Sequence, residues 1–321
     1  MIKNKFIFNS LKQDIIKIFL IFPIAILLAY FPEEYLKYIA LAILVLFDYN
    51  HIFYSYKRLQ NKSDWDYVKN KLLLYSIVCS VVIISLLFIE NGLDYLISIA
   101  IYYNFYHIIK QHEGIIKWYL KKDKNQENII LPKMVTFSVY FFILSIHFRE
   151  NFYVNLFSDL KNKSDFLFYN PSNVIYQYFF IISSTIMLFN VLYIFYNIYR
   201  KKYINSNWYA LFVISIYFFS GFIATNVFQL YLVHAIIHGY HYLNIMNKSI
   251  KDIEKKVNYL KIVSVFIIIS VLFFIFEKNL SEYVNNYVFY LIYLIPQWIH
   301  YYLDRLLWNK KNINWKNIIS K

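Results

Sequence analysis

The feature that most constrains this chain is a series of apolar runs that follow one another with only short polar breaks. Each run is about 18 to 25 residues long, which is the length a helix needs to cross the hydrocarbon core of a bilayer. Within lipid every backbone amide needs a partner inside the protein, so each run should form a helix. A transmembrane β-barrel would instead show alternating segments of about ten residues. We therefore expect an all-α, polytopic transmembrane helical bundle.

Composition agrees with this class and limits the chemistry. Hydrophobic residues make up 60% of the chain and charged residues 16%, and four glycines and five prolines are too few for a turn-rich β protein. The single cysteine, Cys79, excludes an intrachain disulfide and any cysteine-based metal motif. Metal chemistry must therefore use histidines and carboxylates. The amino terminus is basic and lacks a small-residue cleavage site, which predicts a retained helix rather than a signal peptide.

The apolar runs predict about ten membrane-spanning helices in a single transmembrane domain that covers residues 1–321. The stretch 208–246 has almost no polar break, and because it is too long for one span we divide it near 221–226. The predicted spans are 14–31, 35–56, 71–90, 93–119, 132–149, 174–199, 207–224, 226–246, 257–277 and 283–308.

The distribution of charge predicts the orientation. With ten spans both termini lie on one side of the membrane, and most of the lysines and arginines fall in the loops of that side, whereas acidic residues dominate the opposite loops. This positive-inside pattern predicts cytoplasmic termini in a bacterial-type inner membrane. It also explains the net charge of +14 without nucleic acid as a partner, since the bases flank membrane spans.

The histidines mark the candidate functional site. Ionisable residues inside a membrane are costly and are functional candidates by default. Most of the histidines fall near the carboxy-terminal ends of predicted helices 2, 4, 8 and 10, which all lie at the cytoplasmic face. The eight histidines are His51, His107, His112, His147, His234, His238, His241 and His300.

Predicted helix 8 carries the most specific pattern, His234-Ala-Ile-Ile-His238-Gly-Tyr-His241. Residues at i, i+4 and i+7 share one face of a helix, so the three imidazoles form one stripe. A stripe of this kind can supply two or three metal ligands. The alternative is a set of histidines that hydrogen-bond within a polar helix interface.

Two other helices pair an imidazole with a carboxylate. Asp48 and His51 are spaced i, i+3 in predicted helix 2, and His300 and Asp304 are spaced i, i+4 in predicted helix 10. Each pair suits two metal ligands, or one histidine ligand that a carboxylate orients. For Asp304 the alternative is a salt bridge to the adjacent Arg305 or to lysines at the membrane interface.

Predicted helix 4 adds further candidates. His107 and Gln111 share a face at i, i+4, so His107 is predicted as a ligand and Gln111 as a residue beside the metal. His112 is turned about 140° away from His107, so we expect it around the ligands or at an interface unless the helix breaks near Gly114. Lys110 either binds an anionic substrate group or extends towards the membrane surface. His147 ends a helix on the opposite side, so we exclude it from the site.

These candidates are more ligands than one metal ion uses, since a single ion takes three or four protein groups. Two ions fit better. A nitrogen and oxygen donor set without cysteine favours non-haem iron, with zinc, manganese and copper as alternatives.

The H-x3-H-x2-H stripe resembles the histidine-box membrane oxygenases, a class that includes fatty-acid desaturases, alkane hydroxylases and carotenoid hydroxylases. The isolated histidines on several helices also resemble the bacterial carotenoid-cleaving dioxygenases of the Brp/Blh group. The first resemblance implies a metal-ligand role for His234, His238 and His241.

The leading hypothesis is a membrane-embedded, metal-dependent oxidoreductase with two non-haem irons. It would hydroxylate, desaturate or cleave a lipid or isoprenoid substrate and would receive electrons from a donor protein. Alternatives are a haem-binding electron-transfer protein, a transporter with a histidine-lined pathway, and a membrane acyltransferase. The predicted ligands are His51, His107, His234, His238, His241 and His300, with Asp48 and Asp304 as ligands or orienting residues and with Gln111 and Lys110 as further site residues.

Overall fold

A computed structural model describes residues 6–8, 10–30, 47, 50–89, 92–123, 130–149, 173–202, 204–225, 227–253 and 286–308. Helices dominate these residues, and no strand occurs among them. The predicted helix 257–277 and Asp48 lie outside the described residues. The helices are α1 (Leu11–Asp14), α2 (Ile21–Ala29), α3 (Asn50–Arg58), α4 (Lys62–Leu87), α5 (Gly92–Lys122), α6 (Ile130–His147), α7 (Asn173–Tyr199), α8 (Ile204–Ile223), α9 (Val227–Ile253) and α10 (Asn286–Leu307).

Four of these helices are long and apolar enough to cross a membrane, which is consistent with an integral membrane protein. Their candidate spans lie within α4, α6, α7 and α8. The number of ten spans and the cytoplasmic location of both termini remain predictions. The candidate spans are Lys62–Leu86, Ile130–His147, Val174–Tyr199 and Ile204–Ile223.

Polar side chains define where α4 begins. The side chain of Asn61 accepts hydrogen bonds from the backbone N–H groups of Ser63 (3.0 Å) and Asp64 (3.4 Å), which would otherwise lack a partner in the first turn. Hydropathy predicted this helix only from residue 71, because its first turns are polar. The helix thus extends well beyond its apolar run.

The first predicted span contains an irregular stretch. Between α1 and α2, residues Ile15–Phe19 form a π-helix, in which the N–H of Leu20 donates to the carbonyl of Ile15 at 3.0 Å. Pro23 lies in the next turn, and a proline ring cannot fit against the carbonyl four residues before it in a regular α-helix. The π turn lies directly before the first turn of α2, which contains Pro23.

The long apolar stretch 208–246 is divided into two helices, as predicted. α8 ends at Ile223 and α9 begins at Val227. The side chain of Gln229 accepts hydrogen bonds from both the N–H (3.0 Å) and the hydroxyl (2.8 Å) of Thr225, and these bonds close the turn between the two helices.

The chain divides into two compact units. The first unit contains residues Met1–Leu36 and Ile101–Ile237, and the second contains Lys37–Ala100 and His238–Lys321. α5 and α9 each begin in one unit and end in the other. The prediction of one domain for the whole chain remains a prediction.

In the first unit α6 packs against both α7 and α8. The hydroxyls of Ser145 and Ser183 hydrogen-bond at 2.9 Å between α6 and α7, and the rings of Phe142 and Phe180 lie 5.8 Å apart. A Cβ atom on Gly221 of α8 would stand 2.7 Å from the ring of Phe142, so the glycine allows the two helices to approach closely. Small side chains and hydroxyls at helix contacts are typical of packing in membranes.

In the second unit α4 packs against α10. The rings of Tyr75 and Tyr302 stack with centroids 4.0 Å apart. The contact is continued by a cluster of buried aliphatic side chains, Val68, Leu72, Leu303, Leu306 and Leu307. This packing fixes the half of α10 that carries His300 and Asp304.

Candidate metal centre

Three imidazoles from three helices meet in the interior of the second unit. They belong to His51 on α3, His238 on α9 and His300 on α10. His238 is the first residue of α9 that belongs to the second unit. The three residues are 1%, 2% and 0% exposed. The ring centroid of His51 lies 4.6 Å from that of His238 and 4.6 Å from that of His300. We call these three residues the histidine cluster.

The ring nitrogens of His51 and His238 have a spacing that suits metal coordination. The Nε2 atoms of His51 and His238 are 3.3 Å apart. Two imidazole nitrogens bound to one ion at about 2.1 Å in tetrahedral geometry are about 3.4 Å apart, so the spacing is that of two ligands on one ion. The ligand atoms of His51 and His300 lie within 4.8 Å of each other. A hydrogen bond between two rings would also explain 3.3 Å, but it would not account for the third imidazole.

A backbone carbonyl orients the ring of His51. Its Nδ1 lies 3.2 Å from the carbonyl oxygen of Phe47, so Nδ1 carries the proton and donates to that oxygen. The lone pair is then on Nε2, which faces His238. Metal-binding histidines commonly have this arrangement, in which a hydrogen bond from one ring nitrogen fixes the tautomer and directs the other nitrogen at the ion.

A buried carboxylate lies next to His300. Asp304 is one helical turn further along α10, and its Oδ2 is 3.5 Å from Nε2 of His300. Its Oδ1 accepts hydrogen bonds from the hydroxyls of Ser55 (2.6 Å) and Tyr242 (2.8 Å), which also contact each other. Asp304 is thus fixed by α3 and α9, whereas Arg305 is exposed. This carboxylate is positioned to orient His300 or to bind a metal itself. The alternative of a salt bridge to Arg305 or to interface lysines remains a prediction.

Gly239 allows α9 to approach the segment that carries His51. A Cβ atom at position 239 would stand 2.5 Å from the Cβ of Phe47 and 3.0 Å from its carbonyl oxygen, the same oxygen that accepts from His51. Any side chain here would therefore push α9 away from Phe47. Because His238 is the neighbour of Gly239, the glycine sets the distance between the two imidazoles.

The remaining histidines of the predicted stripe have different surroundings. His241 is buried in the second unit, one turn after His238, and its role as a ligand remains a prediction. His234 belongs to the first unit, where its Nε2 lies 2.9 Å from the hydroxyl oxygen of Ser220 and its ring stacks on that of Tyr217, with centroids 4.1 Å apart. These contacts resemble those of a histidine that hydrogen-bonds within a polar helix interface more than those of a metal ligand.

The predicted residues of α5 lie in the first unit. His107 and Gln111 are partly buried, and their roles remain predictions. α5 continues unbroken past Gly114, so His112 stays turned away from His107 as expected, and its Nδ1 lies 2.8 Å from the hydroxyl of Tyr209. Lys110 contacts the carboxylate of Glu113. Its role as a site residue remains a prediction.

His147 lies in the first unit, where it ends α6. It is 2% exposed, and its ring packs against the rings of Tyr102 (5.1 Å) and Phe105 (5.2 Å). It therefore provides a buried histidine outside the histidine cluster.

Three residues of the candidate metal centre were not predicted from the sequence. Ser55 lies one turn after His51 on α3, Tyr242 lies one turn after His238 on α9, and Gly239 directly follows His238. The signal for the first two is the i+4 spacing, which places a hydroxyl on the same face as each imidazole. Such hydroxyls are too common in a chain with 34 tyrosines to be informative before the partner, Asp304, is known.

Comparisons with known proteins identify no relative. No family model, curated protein or solved structure matches this chain. The resemblance to histidine-box oxygenases and to carotenoid-cleaving dioxygenases therefore remains a likeness of motifs.

Proposed function

We propose that the protein is a membrane-embedded metalloenzyme whose metal is held by His51, His238 and His300, with Asp304 as a fourth ligand or as the group that orients His300. The observation that carries the proposal is the buried histidine cluster, in which two Nε2 atoms stand 3.3 Å apart. Three neutral imidazoles sharing an apolar interior need compensation for the water they lose, and a bound cation provides it.

The donor set favours non-haem iron as the metal and oxidation as the reaction. Imidazole and carboxylate ligands without thiolate suit iron, with zinc, manganese and copper as alternatives. Iron held by these residues would supply activation of dioxygen. A membrane setting would admit a lipid or isoprenoid substrate from the bilayer, and a dry interior would protect reactive species from water. The proposed reaction is hydroxylation, desaturation or cleavage of that substrate, with electrons from a donor protein.

A second ion remains part of the proposal. Within the second unit, His241 is the buried histidine that the three-histidine site does not use, and it is a candidate ligand for that ion. The ligand roles of His107, His234 and Asp48 remain predictions. The number of metal ions per chain distinguishes a site with one ion from a site with two. One ion requires only the histidine cluster and Asp304 as ligands.

The decisive experiment is metal analysis by mass spectrometry on detergent-purified protein. We expect about one or two iron ions per chain in the native protein and a loss of at least one of them in His238→Ala, because a site with two imidazoles holds iron much less tightly. His147→Ala is the matched control, since it also removes a buried histidine but leaves the histidine cluster intact. Gel filtration and circular dichroism on each variant establish that it is folded.

Two results would reject the proposal. The first is folded native protein without stoichiometric metal after reconstitution with iron, zinc, manganese or copper, and the second is equal metal content in His238→Ala and native protein. A Soret band would show a haem protein instead.

A further inference from the structure

A second group of polar side chains, distinct from the histidine cluster, lies in the first unit. Tyr119 on α5 and Tyr209 on α8 have ring centroids 5.5 Å apart. The hydroxyl of Tyr119 donates to Oδ2 of Asp14 at 2.6 Å, and the hydroxyl of Tyr209 lies 2.8 Å from Nδ1 of His112. All four residues are at most 3% exposed. We call Asp14, Tyr119, Tyr209 and His112 the tyrosine relay.

Each phenol in the tyrosine relay is paired with a base. A phenol that loses an electron becomes a strong acid, and in an apolar interior its proton must pass to a group already in hydrogen-bond contact. Carboxylate and imidazole are the two side chains able to accept it. Simple aromatic packing, the alternative in a tyrosine-rich chain, requires ring contact but no base at the hydroxyl.

Tyr217, in the same unit, shows the difference between a tyrosine that only packs and a tyrosine that is paired with a base. It is fully buried, and its ring lies 5.7 Å from that of His112. Among the described residues its hydroxyl has no hydrogen-bond partner. Tyr217 therefore has the packing of the tyrosine relay without its proton acceptor.

We propose that Tyr209 and Tyr119 form a redox-active pair that supplies single electrons to a high-potential one-electron oxidant, such as an oxidised metal centre. In the first step Tyr209 gives one electron to the oxidant, its O–H bond breaks, and the proton moves to Nδ1 of His112. The products are a neutral tyrosyl radical, an imidazolium and the reduced oxidant.

In the second step Tyr119 reduces the radical on Tyr209. One electron passes between the two rings, the proton of Tyr119 moves to Oδ2 of Asp14, and His112 returns its proton to the oxygen of Tyr209. The radical is then on Tyr119, beside a protonated carboxyl group. In the first step one electron leaves the relay and its proton stays on His112, so the net charge of the relay rises by one. In the second step the electron and both protons move within the relay, so its net charge does not change.

The test is electron paramagnetic resonance after oxidation with photogenerated ruthenium(III) tris-bipyridine. We expect a long-lived tyrosyl radical in the native protein, which persists because its protons stay within the relay. Tyr209→Phe and His112→Asn should each lose the long-lived signal. Tyr217→Phe is the matched control and should keep it, since that phenol has no base to accept its proton.

Three outcomes would overturn the inference: no long-lived radical in the native protein, an unchanged radical in folded Tyr209→Phe, or equal losses in Tyr209→Phe and Tyr217→Phe. If Tyr209→Phe does not fold, Tyr119→Phe tests the same inference. The radical should then remain on Tyr209, and its hyperfine pattern should differ from that of the native protein. An unchanged pattern would overturn the inference. The test does not depend on metal content. Its failure is therefore distinguishable from failure of the proposed function.

Discussion

At the scale of single residues, Phe47 links two features of the second unit. Its carbonyl oxygen accepts from His51, and its Cβ leaves no space for a side chain at Gly239. One residue therefore fixes the direction of one imidazole and the position of the helix that carries another. Changes at Gly239 should affect both stability and metal binding.

Gly239→Ala should destabilise the protein and reduce its metal content. An added methyl group gains helix propensity of about 1 kcal/mol, but overpacking against a fixed neighbour costs about 1–3 kcal/mol. Because the obstruction includes the backbone of Phe47, we expect a net loss and wider separation of His51 from His238. Thermal unfolding in detergent and metal analysis measure the two effects.

The matched control for that substitution is Gly114→Ala in α5. A Cβ atom there would meet nothing within 4 Å apart from its own helix and chain neighbours. Only the helix propensity changes, so this variant should gain about 0.5–1 kcal/mol of stability. Equal responses of the two variants would contradict the role assigned to the contact between Gly239 and Phe47.

At the scale of helices, a buried ion pair joins α3 to α4. The side chains of Arg58, at the end of α3, and Asp64, in the first turn of α4, are 1% and 0% exposed and lie 3.1 Å apart. Arg58 donates to both carboxylate oxygens. A buried charge is tolerated only when it is paired, so the turn between these helices depends on both residues.

Asp64→Asn should destabilise the second unit by about 3–5 kcal/mol, because it leaves the guanidinium of Arg58 buried without its counter-charge. Asp66→Asn is the control, since Asp66 pairs with Lys69 in an exposed position where both side chains are more than two-fifths exposed. That variant should unfold like the native protein. Thermal unfolding of both variants in detergent tests the prediction, and it is wrong if they behave alike.

The sequence predicted helices better than it predicted their irregularities. Apolar length located the spans 130–147 and 173–199 within a few residues, and it divided the stretch around Gly221 correctly. Hydropathy carries no information on the polar start of α4, which Asn61 caps, or on the π-helix before Pro23. Both depend on local hydrogen bonding rather than on burial.

The same limit applies to the candidate site. Helical periodicity can place His234, His238 and His241 on one face of α9, and they are on that helix. It cannot reveal that His234 faces Ser220 and Tyr217 while His238 faces His51, because those partners are set by packing between helices distant in sequence. The hydrogen bonds of Asp304 with Ser55 and Tyr242 could not be predicted from the sequence for the same reason.

At the scale of the whole molecule, four candidate spans support an integral membrane protein, and the positive-inside pattern predicts its orientation. α4 offers a direct check because its two ends should lie on opposite sides. Gln60 precedes it at the end predicted to be cytoplasmic, and Ile89 follows it at the other end. Both side chains are exposed.

Gln60→Cys and Ile89→Cys, each in a Cys79→Ser background, should react from opposite sides with a membrane-impermeant thiol reagent. In intact cells Ile89→Cys should be labelled and Gln60→Cys protected, and in inside-out vesicles the pattern should reverse. Labelling of both from one side would show that α4 does not cross the bilayer. The reverse pattern would invert the predicted orientation.

The histidine cluster also bears on the order in which the protein matures. His51 and His238 are separated by 187 positions along the chain, and Asp304 is 249 positions from its partner Ser55. During synthesis His51 enters the bilayer long before α10 has been translated, so a nascent chain has no complete set of donors. If the histidine cluster binds a metal as proposed, loading with the cation would be a late event, after α10 is inserted, and a ribosome stalled before α10 would carry an apoprotein.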